Sequence, residues 1–94
     1  MAQDAHVTQN RSAHRFEIDN TDGAAVLNYH EGAHHITLVH TEVPPELEGK
    51  GYGSLLARAA LEYARRAKLR VIPHCPFVQA YIERHPEFAD LTRV

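Results

Sequence analysis

The chain has 94 residues, 44% hydrophobic and 23% charged, the balance of one small globular domain near the lower limit for an unstapled core. Its formal net charge of −2, with eight histidines counted as neutral, argues against the clustered Lys and Arg that drive broad nucleic-acid binding. No apolar run approaches the ~18 residues of a membrane span, no secretory signal is expected ahead of the fold, and the single cysteine lacks an internal disulfide partner. Cytoplasm is the expected compartment.

The polar segment Met1–Ser12 has no periodicity and is expected to be disordered, leaving residues 13–94 as a single domain. "HRFEI" then alternates as a strand, and "DNTDG" at Asp19–Gly23 closes it as a tight turn. "AAVLNYH" is a second strand, "EGAH" a second turn, and "HITLVHTEV" a longer third strand, which together make an antiparallel meander. From Ser54 to Lys68 the period becomes helical, with Leu55, Leu56, Ala59, Ala60, Tyr63 and Ala67 on one stripe. Leu69–Pro73 reads as a short strand. Pro76–His85 reads as a second helix with Phe77, Val78, Tyr81 and Ile82 on its apolar side, ended by Pro86.

Strand, glycine corner, helix, strand is a βαβ unit, so the strand near Ile36–Thr41 should run parallel to Leu69–Ile72. The expected fold is therefore α/β: a small mixed sheet, built from the meander plus the βαβ unit, with two main helices. Ligands of such sheets gather at the carboxyl ends of the parallel strands, where "EGKGYGS" and "HCPF" both lie.

Gly49, Gly51 and Gly53 fall at every second position just before the helix. They read either as a tight strand-to-helix connection or as a pyrophosphate cradle, in which glycine backbone approaches the ligand and the helix N-terminus supplies N–H groups. A P-loop needs a Lys after its last glycine, and here Lys50 precedes Gly51. A dinucleotide fingerprint needs G-x-G-x-x-G after the first strand and an acid some twenty residues on, and neither is present.

"ELEGKGYGSLL" resembles the Q/R-x-x-G-x-G/A loop of the GNAT superfamily of acyl-CoA N-acyltransferases, with Glu48, Gly51 and Gly53 at its defining positions. "HTEVPPEL" and "CPF…YI…HPE" resemble its short one-domain subfamily, and the resemblance covers Arg15 to Phe88. It implies acetyl-CoA as co-substrate, held at the pyrophosphate by Gly49, Lys50, Gly51, Tyr52, Gly53 and Ser54. It also implies that Thr41, Glu42 and Val43 meet the thioester and pantetheine, on the strand that the family bulges and counts as its fourth. One short strand is then missing from the reading above, and "HVTQNRS" or a split of the long third strand is the candidate. The implied activity is transfer of acetyl to an exposed primary amine: a protein lysine, an N-terminus or an amine metabolite. Two departures stand out. Glu48 replaces the usual Arg or Gln, and "DNTDG" leaves no room for the helices that wall the acceptor site in larger members.

Within that frame Cys75 and His40 are the catalytic candidates. Cys75 precedes a helix, where a thiolate is stabilised, and suits a transient acyl-cysteine or a proton donor to the departing thiolate, unless it is a buried filler. His40 suits proton acceptance near neutral pH. By strict alternation it shares a face with Ile36 and Leu38, as a core-edge histidine or as the partner of a Cys–His pair. Glu42 is a candidate base through water or a solvated acid, and Tyr81 a candidate acid or a core residue. A non-catalytic acyl-CoA-binding or sensing module is the alternative. "HEGAHH" with His40 offers imidazoles, but no recognised metal-ligand spacing, and no metal is expected.

Overall fold

The computed structural model describes residues 6–20 and 23–93. Five strands, β1 (Thr8–Asn10), β2 (Arg15–Asn20), β3 (Gly23–Glu31), β4 (His35–Glu42) and β5 (Arg70–Pro73), form one sheet in that spatial order. β1 to β4 pair antiparallel, and β5 joins β4 in parallel with Ile36 opposite Val71. Two helices, α1 (Tyr52–Ala67) and α2 (Pro76–Arg84), alternate with 3-10 turns at Pro45–Leu47 and Pro86–Thr92. This is the mixed α/β sheet expected, with β4, α1 and β5 as its βαβ unit.

β1 is a correction. Thr8–Asn10 lie inside the segment read as disordered, and "HVTQNRS" supplies the missing strand. The strand is held by polar side chains that a hydrophobic pattern does not register. Asn10 donates to Glu17 at 3.0 Å, and Gln9 donates to the Tyr29 hydroxyl at 2.9 Å. Residues 1–5 of that segment, and Thr21 and Asp22 of the "DNTDG" turn, lie outside the described residues; Asn20 and Gly23 pair directly across the turn.

The helices cover one face of the sheet. By register, Phe16, Ile18, Ala25, Leu27, Tyr29, Ile36, Leu38 and Val71 share that face, and all are buried. α1 packs on β2, β3 and β4, and α2 on β4 and β5, within one core cluster. The other face carries Glu17, Asn28, His30, Thr37 and His40, none of them buried.

The buried stripe of α1 is turned from the one read in the sequence. Leu56, Ala57, Ala60, Leu61, Tyr63 and Ala64 are buried, whereas Leu55 is exposed. The helix begins two residues earlier than its apolar run, at Tyr52, and the small residues Ala57, Ala60 and Ala64 are what let it lie close on the strands. In α2, Val78, Tyr81 and Ile82 are buried while Phe77 is not.

α1 ends in a Schellman motif: Leu69 N–H donates to the Ala64 carbonyl at 2.8 Å and Lys68 N–H to that of Arg65 at 3.2 Å. Lys68 occupies the left-handed position, φ 60°, where an L-residue is strained and glycine is not. Lys68→Gly is expected to raise folding stability by about 0.5–1 kcal/mol, the relief of strain exceeding the added unfolded-state freedom. Urea melts of the two proteins measure this directly.

Candidate active site

β4 contains one residue too many. Asn28 pairs with His40 and Tyr29 pairs with Leu38, so Val39 between them has no partner on β3 and forms a bulge. The extra residue inverts the alternation that follows. Ile36 and Leu38 face the helices, and beyond the bulge it is Thr41, opposite the buried Leu27, that faces them. His40 and Glu42 turn to the other face and are exposed. This corrects the placement of His40 beside Leu38, and with it the Cys–His pair.

The thiol of Cys75 bonds with the Thr41 hydroxyl instead, at 3.3 Å between Sγ and Oγ1. Its backbone is fixed from both sides. Its N–H donates to the Leu38 carbonyl at 2.9 Å, and its carbonyl accepts from Gln79 N–H at 3.0 Å in the first turn of α2. Cys75 is the N-cap of α2, with Pro76 at the first helical position. Its side chain is 3% exposed. Burial pushes the thiol up, but the Thr41 hydroxyl, then the N–H groups of Val78, Phe77 and Thr41, outweigh it, and Cys75 titrates below an ordinary thiol.

The glycine corner lies at the same end of the sheet. Gly49 and Gly51 take left-handed backbone, φ 86° and 78°, and a Cβ added at either meets nothing within 4 Å. They are glycine for their conformation, and the space above them is open. α1 starts here, its first bond running from Leu55 N–H to the Gly51 carbonyl at 3.1 Å. The N–H groups of Gly53 and Ser54 precede that bond and point out of the helix end, where the helix dipole adds about half a positive charge.

Gly53 has a different task. A Cβ there would sit 2.9 Å from the ring of Phe77, so the ring rests on the backbone of α1. Together these parts line an open cleft of about 220 Å³: Gly49, Gly51, Gly53 and Ser54 give it a glycine-rich floor, Val43, Leu47, Tyr52 and Phe77 give it apolar and aromatic walls, and Glu48 lines it with them.

Of the residues singled out in the sequence, Val43, Gly49, Gly51, Tyr52, Gly53 and Ser54 meet in this cleft, and Thr41 meets Cys75. Lys50 is exposed and does not line it, and Glu42 and His40 lie on the open face of the sheet. Tyr81 is a core residue, stacked on His85 with ring centroids 4.1 Å apart and beside Phe88. Among the described residues no three His, Cys, Asp or Glu side chains gather to hold a metal ion, and no helix is long and apolar enough to cross a membrane.

Sequence reasoning missed Phe77, Leu47 and the Thr41–Cys75 bond. The signal for the last was present: apolar residues at 36, 38, 39 and 43 break strict alternation at Val39.

Comparison with known proteins identifies the family and the fold. A family model described as GCN5-related N-acetyl-transferase matches residues 15–91. Protein NATD1 of Gallus gallus and of Mus musculus are each 34% identical over 65 residues, 69% of this chain and 59% of theirs. The match therefore spans about three-fifths of these relatives' length. The solution structure of a GCN5-like protein from Staphylococcus aureus superposes with a TM-score of 0.72 at 29% identity, covering 96% of this chain and 89% of that one.

The site makes a prediction about its thiol. With one cysteine in the chain, ultraviolet titration of the thiolate should give a midpoint below that of the same thiol in the unfolded chain. Thr41→Val, which removes the hydroxyl bond, should move that midpoint upward. A folded value below the unfolded one also fixes a sign: the native state releases this proton first, so its contribution to stability is absent below the folded midpoint and complete above the unfolded one.

Proposed function

This chain belongs to the GCN5-related N-acetyltransferase family, and from that premise we propose that it transfers acetyl from acetyl-CoA to an exposed primary amine. The observation that carries the reading is a pair of left-handed glycines under open space, set at a helix N-terminus on the same sheet end as Cys75. Backbone N–H groups of Gly49–Ser54 would hold the pyrophosphate, and a side chain at 49 or 51 would fill the space it needs.

β5 pairing stops at Leu38–Pro73, so the stretch of β4 from Val39 to Glu42, apart from the Thr41 N–H that already meets the Cys75 thiol, would offer backbone groups on that edge to a thioester and its amide-bearing arm. The amine nitrogen bonds to the carbonyl carbon, the carbon–sulfur bond breaks, and two proton movements complete the exchange. His40, on the open face, takes the proton lost by the amine. Cys75, on the helix face, gives one to the departing thiolate, and the Thr41 hydroxyl then supports the Cys75 thiolate. His40 and Cys75 lie on opposite faces of β4, an arrangement that favours direct transfer over an acyl-cysteine. Among the described residues no helix covers the open face, which suits an amine presented by a protein or by a small molecule in solution. A reducing compartment supplied with acetyl-CoA, the cytoplasm, fits a chain with one unpaired cysteine.

One observation favours a second reading. Glu48 lines the cleft where the family usually has Arg or Gln, and an acid near a pyrophosphate weakens its hold. Such a domain would bind or sense acyl-CoA without efficient transfer.

Release of free thiol from acetyl-CoA in the presence of a lysine-bearing peptide separates the two. The transferase reading expects saturable release, reduced about a hundredfold or more in Cys75→Ala and in His40→Ala, with acetyl-CoA affinity retained. Binding without release from a panel of amines would establish the sensing module. Full activity in His40→Ala would remove the base from the open face.

A further inference from the structure

Phe77 contributes little to the fold it belongs to. It is 41% exposed, while Val78, Tyr81 and Ile82 carry the packing of α2. Its ring nevertheless has a fixed seat, because Gly53 lacks the Cβ that would lie 2.9 Å from the ring tip. The result is an aromatic surface held against the first turn of α1, beside the helix-end amides. Val43 and Leu47 face the same cleft.

That combination is selective. The floor offers backbone N–H groups to an anion, but a bare nucleoside diphosphate gains nothing from apolar walls and loses water beside them. A ligand whose diphosphate continues into a branched aliphatic chain uses both. At about 220 Å³ the cleft is smaller than a site for a whole cofactor, and fits the junction of diphosphate and arm. We infer that Phe77 is the specificity-determining residue of this cleft: its ring covers the aliphatic arm of an acyl-CoA and so separates acyl-CoA from nucleotides that carry the same diphosphate without the arm. The inference rests on the acetyl-CoA reading of the glycine corner. It names a residue that acts on binding, two positions along the chain from the thiol.

Calorimetric titration of the wild-type chain, Phe77→Ala and Phe77→Leu with acetyl-CoA and with ADP tests it. Phe77→Ala should weaken acetyl-CoA about tenfold, as loss of a partly buried aromatic anchor does, and leave ADP within about twofold or undetectable in both proteins. Phe77→Leu should recover most of the acetyl-CoA affinity. A thermal melt of Phe77→Ala should stay close to wild type, since the ring lies outside the core. Equal losses for acetyl-CoA and ADP would make Phe77 a support for the corner alone, and an unchanged acetyl-CoA affinity would remove it from the cleft's function; either overturns the inference. Wild-type protein that fails to bind acetyl-CoA overturns the reading of the glycine corner itself, a result that needs no variant to recognise.

Discussion

The unpaired Val39 determines which side chains of β4 share space with Cys75, because a strand's faces alternate and one added residue exchanges them from that point onward. In a regular strand His40 would follow Leu38 beneath the helices, and a buried imidazole without a partner costs about 1–3 kcal/mol. The bulge sends the imidazole to solvent and brings the smaller Thr41 inward, where its hydroxyl reaches the sulfur at 3.3 Å. Beyond Leu38–Pro73 the end of β4 also has no ladder partner on its β5 side. One residue thus sets the partner of the thiol and the face of the histidine.

The glycine corner shows three glycines doing two kinds of work. Gly49 and Gly51 provide backbone that L-residues adopt only under strain of roughly 1–2 kcal/mol, and no described residue comes within 4 Å of a Cβ added at either. Gly53 provides closeness: it lets an aromatic ring from α2 touch the start of α1. The corner and the C-P-F segment are therefore joined through Phe77 as well as through the parallel strands that end there. Glu48 in the cleft lining and a sheet face that no described helix covers distinguish this chain from the fuller family pattern.

Much of this was legible in the residues. The meander, the change of period at the helix and the convergence of both motifs on one sheet end follow from alternation, helical spacing and the rule for parallel strands. The motif "ELEGKGYGS" located the cleft, although Lys50, inside it, points elsewhere. What escaped had physical reasons. β1 is held by Asn10, Gln9 and their polar partners rather than by an apolar face. Strict alternation puts His40 on the helix face, and only the bulge sends it to the other. The apolar run offers Leu55 and Leu56 alike, and only Leu56 meets the sheet. Helical spacing groups Phe77 with the core, because spacing says nothing about a glycine on another helix.

On the proposed function, the corner and the end of β4 beyond Leu38 form one ligand-binding surface. Titration of the isotope-labelled protein with acetyl-CoA, followed amide by amide, addresses it most directly. The account predicts saturable shifts concentrated at Gly49, Gly51, Gly53 and Ser54 and, with the same dissociation constant, along Val39–Val43. Shifts confined to other surfaces, or none at millimolar ligand, would contradict it.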